Sequence, residues 1–264
     1  MERERDRQTV PSDRYDQEYF LTACEGYEEF ASSEGKLLSR RLQSALALGG
    51  IGAGMRVLDV GCGRGEILRH CARMGAEAYG VDYAAVAVAM SRRALADDGG
   101  AAVCQADARR LPFADEAFDR VLLLDLVEHL YPWELDQALQ EARRVLRRSG
   151  CLVVHTAPNL WYDRYAYPLV RAVRTVMGQG DRYPKNPRAL VPANLQVHVN
   201  EQSALSLWRN LRRHRFRARV WLDTPPQKRQ EGWFFRCVRA ALFGLPPFRW
   251  FFEREVFAVA ERVS

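Results

Sequence analysis

The segment VLDVGCGRGEIL, residues 57–68, constrains the fold of this chain more than any other part of the sequence. An apolar strand pattern runs there directly into a helical pattern, and the turn between them carries three glycines, Gly61, Gly63 and Gly65. Glycines at such a turn let the backbone reverse and let a ligand approach the main chain closely. Because Glu66 replaces the third glycine of the G-x-G-x-x-G dinucleotide fingerprint, and Asp59 precedes the turn, two carboxylates flank the loop. They would repel a pyrophosphate and suit a ligand that carries positive charge.

Strand and helix patterns alternate around this loop. Apolar runs predict strands at 55–60, 76–81, 101–106, 119–125 and 151–156. Apolar residues at helical spacing predict helices at 63–75, 84–97 and 132–148. After Pro158 the alternation stops, and it resumes with a helix at 201–214 and strands at 216–222 and 254–262. Strands that are apolar throughout and alternate with helices predict an α/β, doubly wound fold, with a parallel sheet covered on both faces.

Composition bounds the class of protein. The chain has 264 residues, of which 48% are hydrophobic and 27% charged, and this is enough apolar material to exclude disorder throughout. No apolar run approaches the ~20 residues of a membrane-spanning helix, and the charged start MERERDRQTV is unlike a secretory signal. Six cysteines without a C-x-x-C pair indicate reduced thiols. We therefore expect a cytoplasmic protein.

The net charge of +6 is unevenly distributed. Residues 1–158 carry 20 basic and 25 acidic side chains, whereas residues 159–264 carry 19 basic and 8 acidic ones. An acidic first part and a basic second part favour different partners for each. Because nearly all the basic residues are arginine, codon bias is an equally good explanation.

Five motifs in a fixed order give the sequence a family resemblance. They are LDVGCGRG at 58–65, YGVDYA at 79–84, QADARRLPFADEAFD at 105–119, DRVLLLDLVEHL at 119–130 and LRRSGCLVVHTAPN at 146–159. With these motifs the chain resembles the class I S-adenosylmethionine-dependent methyltransferases, closely over 55–160 and loosely beyond. The resemblance implies a doubly wound, Rossmann-like, seven-stranded sheet that is mostly parallel, with an antiparallel last strand and helices on both faces.

The resemblance also implies how the chain is organised. We expect a disordered tail at 1–14 and a single methyltransferase domain at 15–264. Two helices are predicted within 15–48, with a break near 32–35, and would form a lid over the cofactor. The other parts are a cofactor-binding core at 55–158, an inserted acceptor or lid segment at 159–200, and a last helix and strands at 201–264 with an aromatic and basic connection at 223–253.

The implied cofactor is S-adenosylmethionine, with S-adenosylhomocysteine as its product. Asp82 would accept both ribose hydroxyls, Tyr83 would pack against adenine, and Asp107 would accept from the adenine amine. For Asp82 or Asp107 alone, helix capping or loop polarity explains the residue equally well. The predicted cofactor-binding set is Asp59, Gly61, Cys62, Gly63, Gly65, Asp82, Tyr83, Asp107, Ala108 and Asp125. No metal is expected, because no two histidines or cysteines have ligand spacing.

Three histidines are candidates for acid–base chemistry. Methyl transfer from a sulfonium is an in-line displacement, so the protein mainly positions the nucleophile, and a base serves only an acceptor that loses a proton. His129 and His198 are the candidate bases, and His155 is a rival. Each has a structural alternative: His129 held by a backbone carbonyl, His198 in an exposed loop before a helix capped by Asn200, and His155 buried and hydrogen-bonded.

We expect the specificity for the methyl acceptor to lie in the segments 159–200 and 223–253, which are rich in aromatic residues and arginine. Such segments suit a sugar, a lipid head group or RNA, and they could equally form a lid core or a dimer contact. We favour a hydroxyl or amine of a small-molecule, glycan or lipid-linked acceptor, with peripheral membrane contact through 233–252 at the inner face. Nucleic acid is disfavoured, because no RNA-binding module is present and lysines are few.

Other functions stay open at this stage. Besides an RNA methyltransferase, they are a nicotinamide-dependent reductase and a cofactor-binding scaffold without turnover. Glu66 argues against the reductase, because a carboxylate there would repel a pyrophosphate. The observations against the scaffold concern only the cofactor side of the site, and they are the intact residues Asp59, Asp82, Asp107 and His129. The oligomeric state is not predicted.

Overall fold

Seven strands form one sheet in the computed structural model, which describes residues 8–96, 99–223, 233, 237 and 246–263. The strands are β1 Arg56–Val60, β2 Glu77–Asp82, β3 Ala101–Gln105, β4 Phe118–Leu124, β5 Leu146–Thr156, β6 Phe216–Asp223 and β7 Glu255–Arg262. Their order in the sheet is β3-β2-β1-β4-β5-β7-β6. Strands β1 to β5 pair in parallel, and β7 is antiparallel to both of its neighbours. The predicted fold class is confirmed, including the antiparallel last strand.

Ten α-helices are found among the described residues. They are α1 Gln17–Thr22, α2 Tyr27–Ser33, α3 Arg40–Gly49, α4 Glu66–Arg73, α5 Ala85–Ala94, α6 Pro132–Val145, α7 Tyr167–Val176, α8 Asn194–Val197, α9 Ala204–Arg213 and α10 Phe248–Phe252. In this part of the chain, no helix has both the length and the apolar character needed to cross a bilayer.

The central strands contribute side chains to two hydrophobic cores, one on each face of the sheet. Val57 of β1 belongs to the core that α3 and α4 cover, whereas its neighbour Leu58 belongs to the core that α6 and α9 cover. Leu122 and Leu123 of β4 divide in the same way. Because helices cover both faces, consecutive positions of these strands are all buried, which explains their unbroken apolar runs.

The N-terminal region differs from the sequence prediction in two respects. It forms three helices where two were expected, because Gly26, with a φ of 75°, separates α1 from α2 in addition to the break at Glu34 and Gly35. The segment predicted as a disordered tail is packed from residue 8 onward: Val10 is buried, and the Trp133 indole donates to the Gln8 carbonyl at 3.2 Å.

Two element starts also differ. β5 begins at Leu146, five residues earlier than expected, because α6 ends at Val145 and the chain continues directly as a strand. α9 begins at Ala204, because the Ser203 hydroxyl caps it by accepting from the Ser206 N–H at 3.1 Å. Asn200 is therefore not the cap of this helix. Most of the connection at 223–253 lies outside the described residues, except for α10 and its surroundings.

Gly80 in β2 lets α4 lie close to the sheet. An added Cβ would lie 2.9 Å from Cys62 Sγ and still closer to Leu68 Cδ1. We expect Gly80→Ala to lower the free energy of unfolding by about 1–3 kcal/mol, because buried side chains must shift. In the control Gly52→Ala the new Cβ would meet only Met55 Cε, at 3.9 Å. Urea unfolding of both variants is the measurement, and equal stability of the two would contradict this account of the packing.

Candidate active site

A crevice opens at the carboxyl ends of β1, β2 and β4. Because parallel strands end at the same edge of a sheet, the loops after these strands meet there. The sequence-predicted residues that line it are Asp59, Gly61, Cys62, Gly63, Asp82, Tyr83, Asp107, Ala108, Asp125 and His129. Residues of the predicted N-terminal lid also line it: Tyr15, Tyr19, Phe20, Cys24, Glu25 and Leu42. Gly65, His155 and His198 lie off its wall.

The glycine turn after β1 forms the floor of the crevice. The backbone N–H groups of Gly61 and Cys62 both donate to the Val81 carbonyl, at 2.8 and 3.0 Å, and this ties the turn to β2. Gly61 and Gly65 have φ angles of 80° and 84°, which side-chain-bearing residues rarely adopt. A Cβ at Gly65 would lie 3.0 Å from the Ser91 hydroxyl, so this glycine serves the packing of α4 on α5 and not the crevice wall.

The two carboxylates beside the turn have different surroundings. The Glu66 carboxylate is paired with the buried Arg64 guanidinium at 2.6 Å. Asp59 is only 3% exposed, and its Oδ1 has no hydrogen-bond partner among the described residues. Burial, together with the charges of Asp82 and Glu66, raises the pKa of Asp59 to about 8. The crevice wall therefore holds one buried carboxyl group that a cationic ligand could pair with.

Asp82 ends β2 with its carboxylate held by the backbone. One oxygen accepts from the Gly63 N–H and the other from the Ala84 N–H, both at 2.9 Å. Burial raises the pKa of Asp82, although these N–H groups oppose the shift. Each oxygen keeps a lone pair for a further donor, so the geometry admits ligand hydroxyls. The neighbouring Tyr83 is 40% exposed at the rim of the crevice.

Asp107 is not a free acceptor. The Arg109 Nε donates to both of its oxygens at 2.9 Å, and the same guanidinium contacts Glu134 at 3.1 Å and lies 5.0 Å over the Trp133 ring. Ala108 is buried beside it on the crevice wall. Arg109 is a wall residue that the sequence reasoning missed, and no local pattern distinguishes it from the neighbouring arginine.

Arg64 is a second residue that the sequence reasoning missed. It is 2% exposed and donates to the backbone carbonyls of Phe20 and Glu25 as well as to Glu66. A guanidinium presents donors in a fixed fork, so one side chain can bind several acceptors at once. Arg64 thus fastens α1 and the turn before α2 to the glycine loop, which holds the predicted lid over the crevice.

Asp125, after β4, belongs to a cluster of charges in which His155 and Glu255 are buried and Asp125 and Arg41 are partly exposed. The Arg41 guanidinium lies 3.5 Å from Asp125 and 3.3 Å from Glu255, and His155 Nδ1 lies 2.8 Å from Asp125 Oδ1. Burial opposes the charging of His155, but Asp125 and Glu255 outweigh it and raise the pKa of His155 to about 9. His155 and Arg41 in turn hold the pKa of Asp125 below its ordinary range. A cationic His155 off the crevice wall fits the buried structural alternative and not a base.

His129 lies on the crevice wall in the opposite charge state. Its Nδ1 is 3.2 Å from the Val197 carbonyl, which can only accept, so the ring N–H sits on Nδ1 and Nε2 keeps its lone pair. Burial lowers the pKa of His129 to about 4. The His198 ring contacts that of His129 edge to face at 4.8 Å, and it is buried where an exposed loop was the structural alternative. Burial and His129 lower the pKa of His198 to about 3.

Glu128, His129 and His198 form a group that could hold a metal ion. One ligand atom of each lies within 4.8 Å of the others. Spacing along the sequence does not reveal this group, because the loop before α9 brings His198 in from far along the chain. The Glu128 carboxylate accepts from the Thr156 hydroxyl at 2.8 Å, and burial raises the pKa of Glu128 to about 8. An ion would therefore have to displace a proton from Glu128.

Comparisons with known proteins agree with this architecture. A family model described as a methyltransferase domain matches residues 58–154. A ubiquinone biosynthesis O-methyltransferase of Azorhizobium caulinodans is 39% identical over 150 residues, which are 55% of this chain and 57% of that protein. A ubiquinone/menaquinone biosynthesis C-methyltransferase of Nitrosospira multiformis is 31% identical over 169 residues, which are 60% and 66% of the two chains. The chain thus spans little more than half the length of the first of these relatives.

Solved structures share the fold at low identity. A geranyl diphosphate methyltransferase in complex with geranyl diphosphate and sinefungin has a TM-score of 0.59 at 21% identity, over 90% of this chain and 84% of that one. The [4+2]-cyclase SpnF has a TM-score of 0.60 at 18% identity, over 97% and 99%. These likenesses show the fold alone. The matched residues 58–154 contain β1 to β4, most of β5 and the glycine turn of the crevice, so this part of the chain is similar to a methyltransferase domain, and the chain resembles the class I S-adenosylmethionine-dependent methyltransferases.

Proposed function

We propose that the chain moves the methyl group of S-adenosylmethionine to a hydroxyl group of a small or lipid-linked acceptor. The observation that carries the proposal is Asp59, a buried carboxyl group with a partnerless oxygen on the crevice wall. In its charged form such a group fits the ammonium group at the amino-acid end of this cofactor and would repel the phosphates of a nicotinamide dinucleotide. When bound, the cofactor supplies a methyl group activated by a sulfonium sulfur.

Each part of the cofactor is assigned to different residues of the crevice in this proposal. Asp59 faces the ammonium group, and Asp82 accepts from the ribose hydroxyls with the lone pairs that the backbone leaves free. Tyr83, at the exposed rim, covers the adenine. Asp107 accepts from the adenine amine while Arg109 holds its carboxylate in place. Asp125 stays in its charge cluster and shapes the methionine end of the crevice.

His129 is the proposed base. In its neutral form Nε2 can take the proton of an acceptor hydroxyl as the new O–C bond forms, the S–C bond breaks and sulfur keeps its electron pair. The low pKa of His129 makes it a weak base, which suits a phenolic hydroxyl better than the less acidic aliphatic hydroxyl. His198 packs against the His129 ring and acts as a positioning residue.

Similarity to named relatives favours one chemical class of methyl acceptor. The relatives include a ubiquinone biosynthesis O-methyltransferase and a ubiquinone/menaquinone biosynthesis C-methyltransferase, so a ring with an apolar substituent is the acceptor that we propose. Glycan and amine acceptors are the alternatives within the same reaction class. Cytoplasmic localisation with membrane association at the inner face is part of the proposal. The contact predicted at 233–252 lies mostly outside the described residues.

A cofactor-binding scaffold without turnover is the competing function. A structure with the same fold is named as a [4+2]-cyclase, so the fold does not fix the reaction. The neutral His129 on the wall favours the transferase, because a scaffold needs no base there. Release of S-adenosylhomocysteine in the presence of an acceptor separates the two functions.

We expect Asp82→Asn to weaken S-adenosylmethionine binding at least about tenfold, because hydrogen bonds to a charged acceptor contribute about 1.5–3 kcal/mol each. Isothermal titration calorimetry at neutral pH is the measurement. Asp115→Asn is the matched control, since Asp115 pairs with Arg144 at the surface and does not line the crevice. Wild-type affinity in the Asp82→Asn variant would contradict the proposed ribose contact.

Cofactor affinity should rise with pH, and Asp59 should cause the rise. The pKa of Asp59 is raised to about 8 without a ligand, and a cationic ligand stabilises the charged form and lowers that pKa. Binding therefore releases a proton at neutral pH, and affinity falls as the pH drops below about 8. Calorimetry in buffers of different ionisation enthalpy measures the released proton. Asp59→Asn should abolish both effects, and an unchanged proton release would assign it to another group.

His129→Gln should reduce turnover by about 10²–10⁴-fold while leaving cofactor affinity within about twofold of wild type. The assay is release of S-adenosylhomocysteine with a dihydroxybenzoate as the probe acceptor. His214→Gln is the control, because His214 pairs with Asp136 away from the crevice. If the wild type turns over and the His129→Gln variant does so equally fast, His129 is not the base.

A further inference from the structure

Exposed apolar side chains are concentrated in one part of the molecule. Of the large hydrophobic residues that the described part of the chain exposes, most belong to 159–197 and α10. They are Tyr165, Leu169, Val173, Val176, Met177, Leu190, Leu195, Phe248 and Trp250. Single exposed apolar residues are normal on protein surfaces, whereas a cluster of this kind indicates an interaction site.

Helix α7 carries a stripe of this cluster along one face. Val173 follows Leu169 by four residues, and Val176 and Met177 follow Val173 by three and four, which places them on the same side of the helix and its C-terminal end. Val176 is 90% exposed, and each of the others is more than half exposed. A ten-residue helix with its apolar face turned to water lacks the packing that normally stabilises such a face.

Helix α10 adds further apolar side chains, and a groove separates them from those that lead into α7. Trp161 stacks on Phe251 with ring centroids 5.7 Å apart, and Tyr165 contacts Phe251 edge to face at 5.6 Å. The groove lies between α10 and residues 161–169, which lead into the start of α7, and it has a volume of about 640 Å³. Leu169 and Trp250 also line it. Trp250 is 49% exposed, so its ring forms the outer wall of the groove.

The charges around this apolar surface are mainly positive. Residues 159–197 carry six basic and two acidic side chains, a net charge of +4. Arg182 and Lys185 lie beside α7, because the Arg171 guanidinium donates to the Tyr183 carbonyl at 3.0 Å and holds that turn against the helix. Arg164, Arg182 and Lys185 are exposed. Aromatic and aliphatic side chains among exposed cations suit an anionic bilayer surface.

The patch is fixed to the sheet edge that carries the crevice. Asn159 follows β5 and is fully buried. Its side-chain amide donates to the carbonyls of Trp250 and Glu253, at 3.0 and 2.9 Å, which fastens α10 to the end of β5. The apolar patch and the crevice therefore lie at the same edge of the sheet.

We propose that the α7 face and the α10 groove dock the protein on the surface of an anionic phospholipid membrane. A second copy of the chain is a poorer occupant, because a symmetric contact would place the net positive patch against itself. The docking would bring the crevice to a lipid-linked acceptor, and that last step rests on the proposed function. The proposed surface keeps the end of the sequence-predicted contact at 233–252, because α10 lies within that range, and adds the face of α7.

Sedimentation with phospholipid vesicles tests the docking. The full chain should co-sediment with phosphatidylcholine vesicles that contain phosphatidylglycerol, bind vesicles of phosphatidylcholine alone more weakly, and dissociate as salt rises. The double variant Leu169→Glu, Val173→Glu should bind the anionic vesicles at least about tenfold more weakly, because it removes two apolar contacts and adds negative charge. The matched control is Val86→Glu with Leu205→Glu, two exposed aliphatic residues on α5 and α9. It should bind like the wild type.

Calorimetry with S-adenosylmethionine checks that each variant is folded. It also distinguishes failure of the docking proposal from failure of the proposed function. Vesicle binding without cofactor binding would overturn the proposed function and leave the docking intact. Cofactor binding without vesicle binding by the wild type would overturn the docking, as would equal binding of the α7 variant and the control. A dimer seen by light scattering that the α7 variant abolishes, without vesicle binding, would assign the face to a second copy and overturn the proposal.

Discussion

The parallel pairing of β1 to β5 is the constraint on which the rest of this structure depends. The register sets Asp59 of β1 beside Gly80 of β2 and Leu122 of β4, and so aligns the carboxyl ends of these strands. Asp59, Asp82 and Asp125 are far apart in the sequence and meet around one crevice for this reason. The glycine turn depends on the same pairing, because its N–H groups bond to the end of β2. An acidic crevice is therefore a consequence of strand direction combined with the residue that follows each strand.

Most of the fold and much of the crevice wall could be predicted from the sequence, because both have local signals. The central parallel strands are apolar on both faces over most of their length, and the residues after them stand at fixed places in the motifs. The division of the N-terminal region into three helices, the burial of His198 and the Arg41 cluster were not predicted from such signals. Arg41 meets Glu255 from the far end of the sequence, and only tertiary packing creates such contacts. Arg64 stands inside a recognisable motif, yet its partners are backbone carbonyls, which no side-chain pattern encodes.

The charge state of each of these histidines is set by the groups around it and not by the residue type. His155 lies between two carboxylates, and its imidazole is protonated on both nitrogens, and so cationic, at neutral pH. His129 faces a carbonyl and aromatic rings, and its imidazole is neutral. Burial disfavours the charged form of both. The difference is the charge available to compensate for burial, and this separates a structural cation from a candidate base within the same region of the sheet.

The position of β7 has a consequence for how the molecule assembles during synthesis. β7 lies between β5 and β6, although it follows both in the sequence, and β6 meets the sheet only through it. A nascent chain can thus join its first five strands while it is still on the ribosome, but the free edge of β5 must wait for residues 255–262. Glu255, the first residue of that strand, also closes the charge cluster behind Asp125. The half of the sheet that forms the crevice is therefore translated early, whereas its charge cluster is completed late.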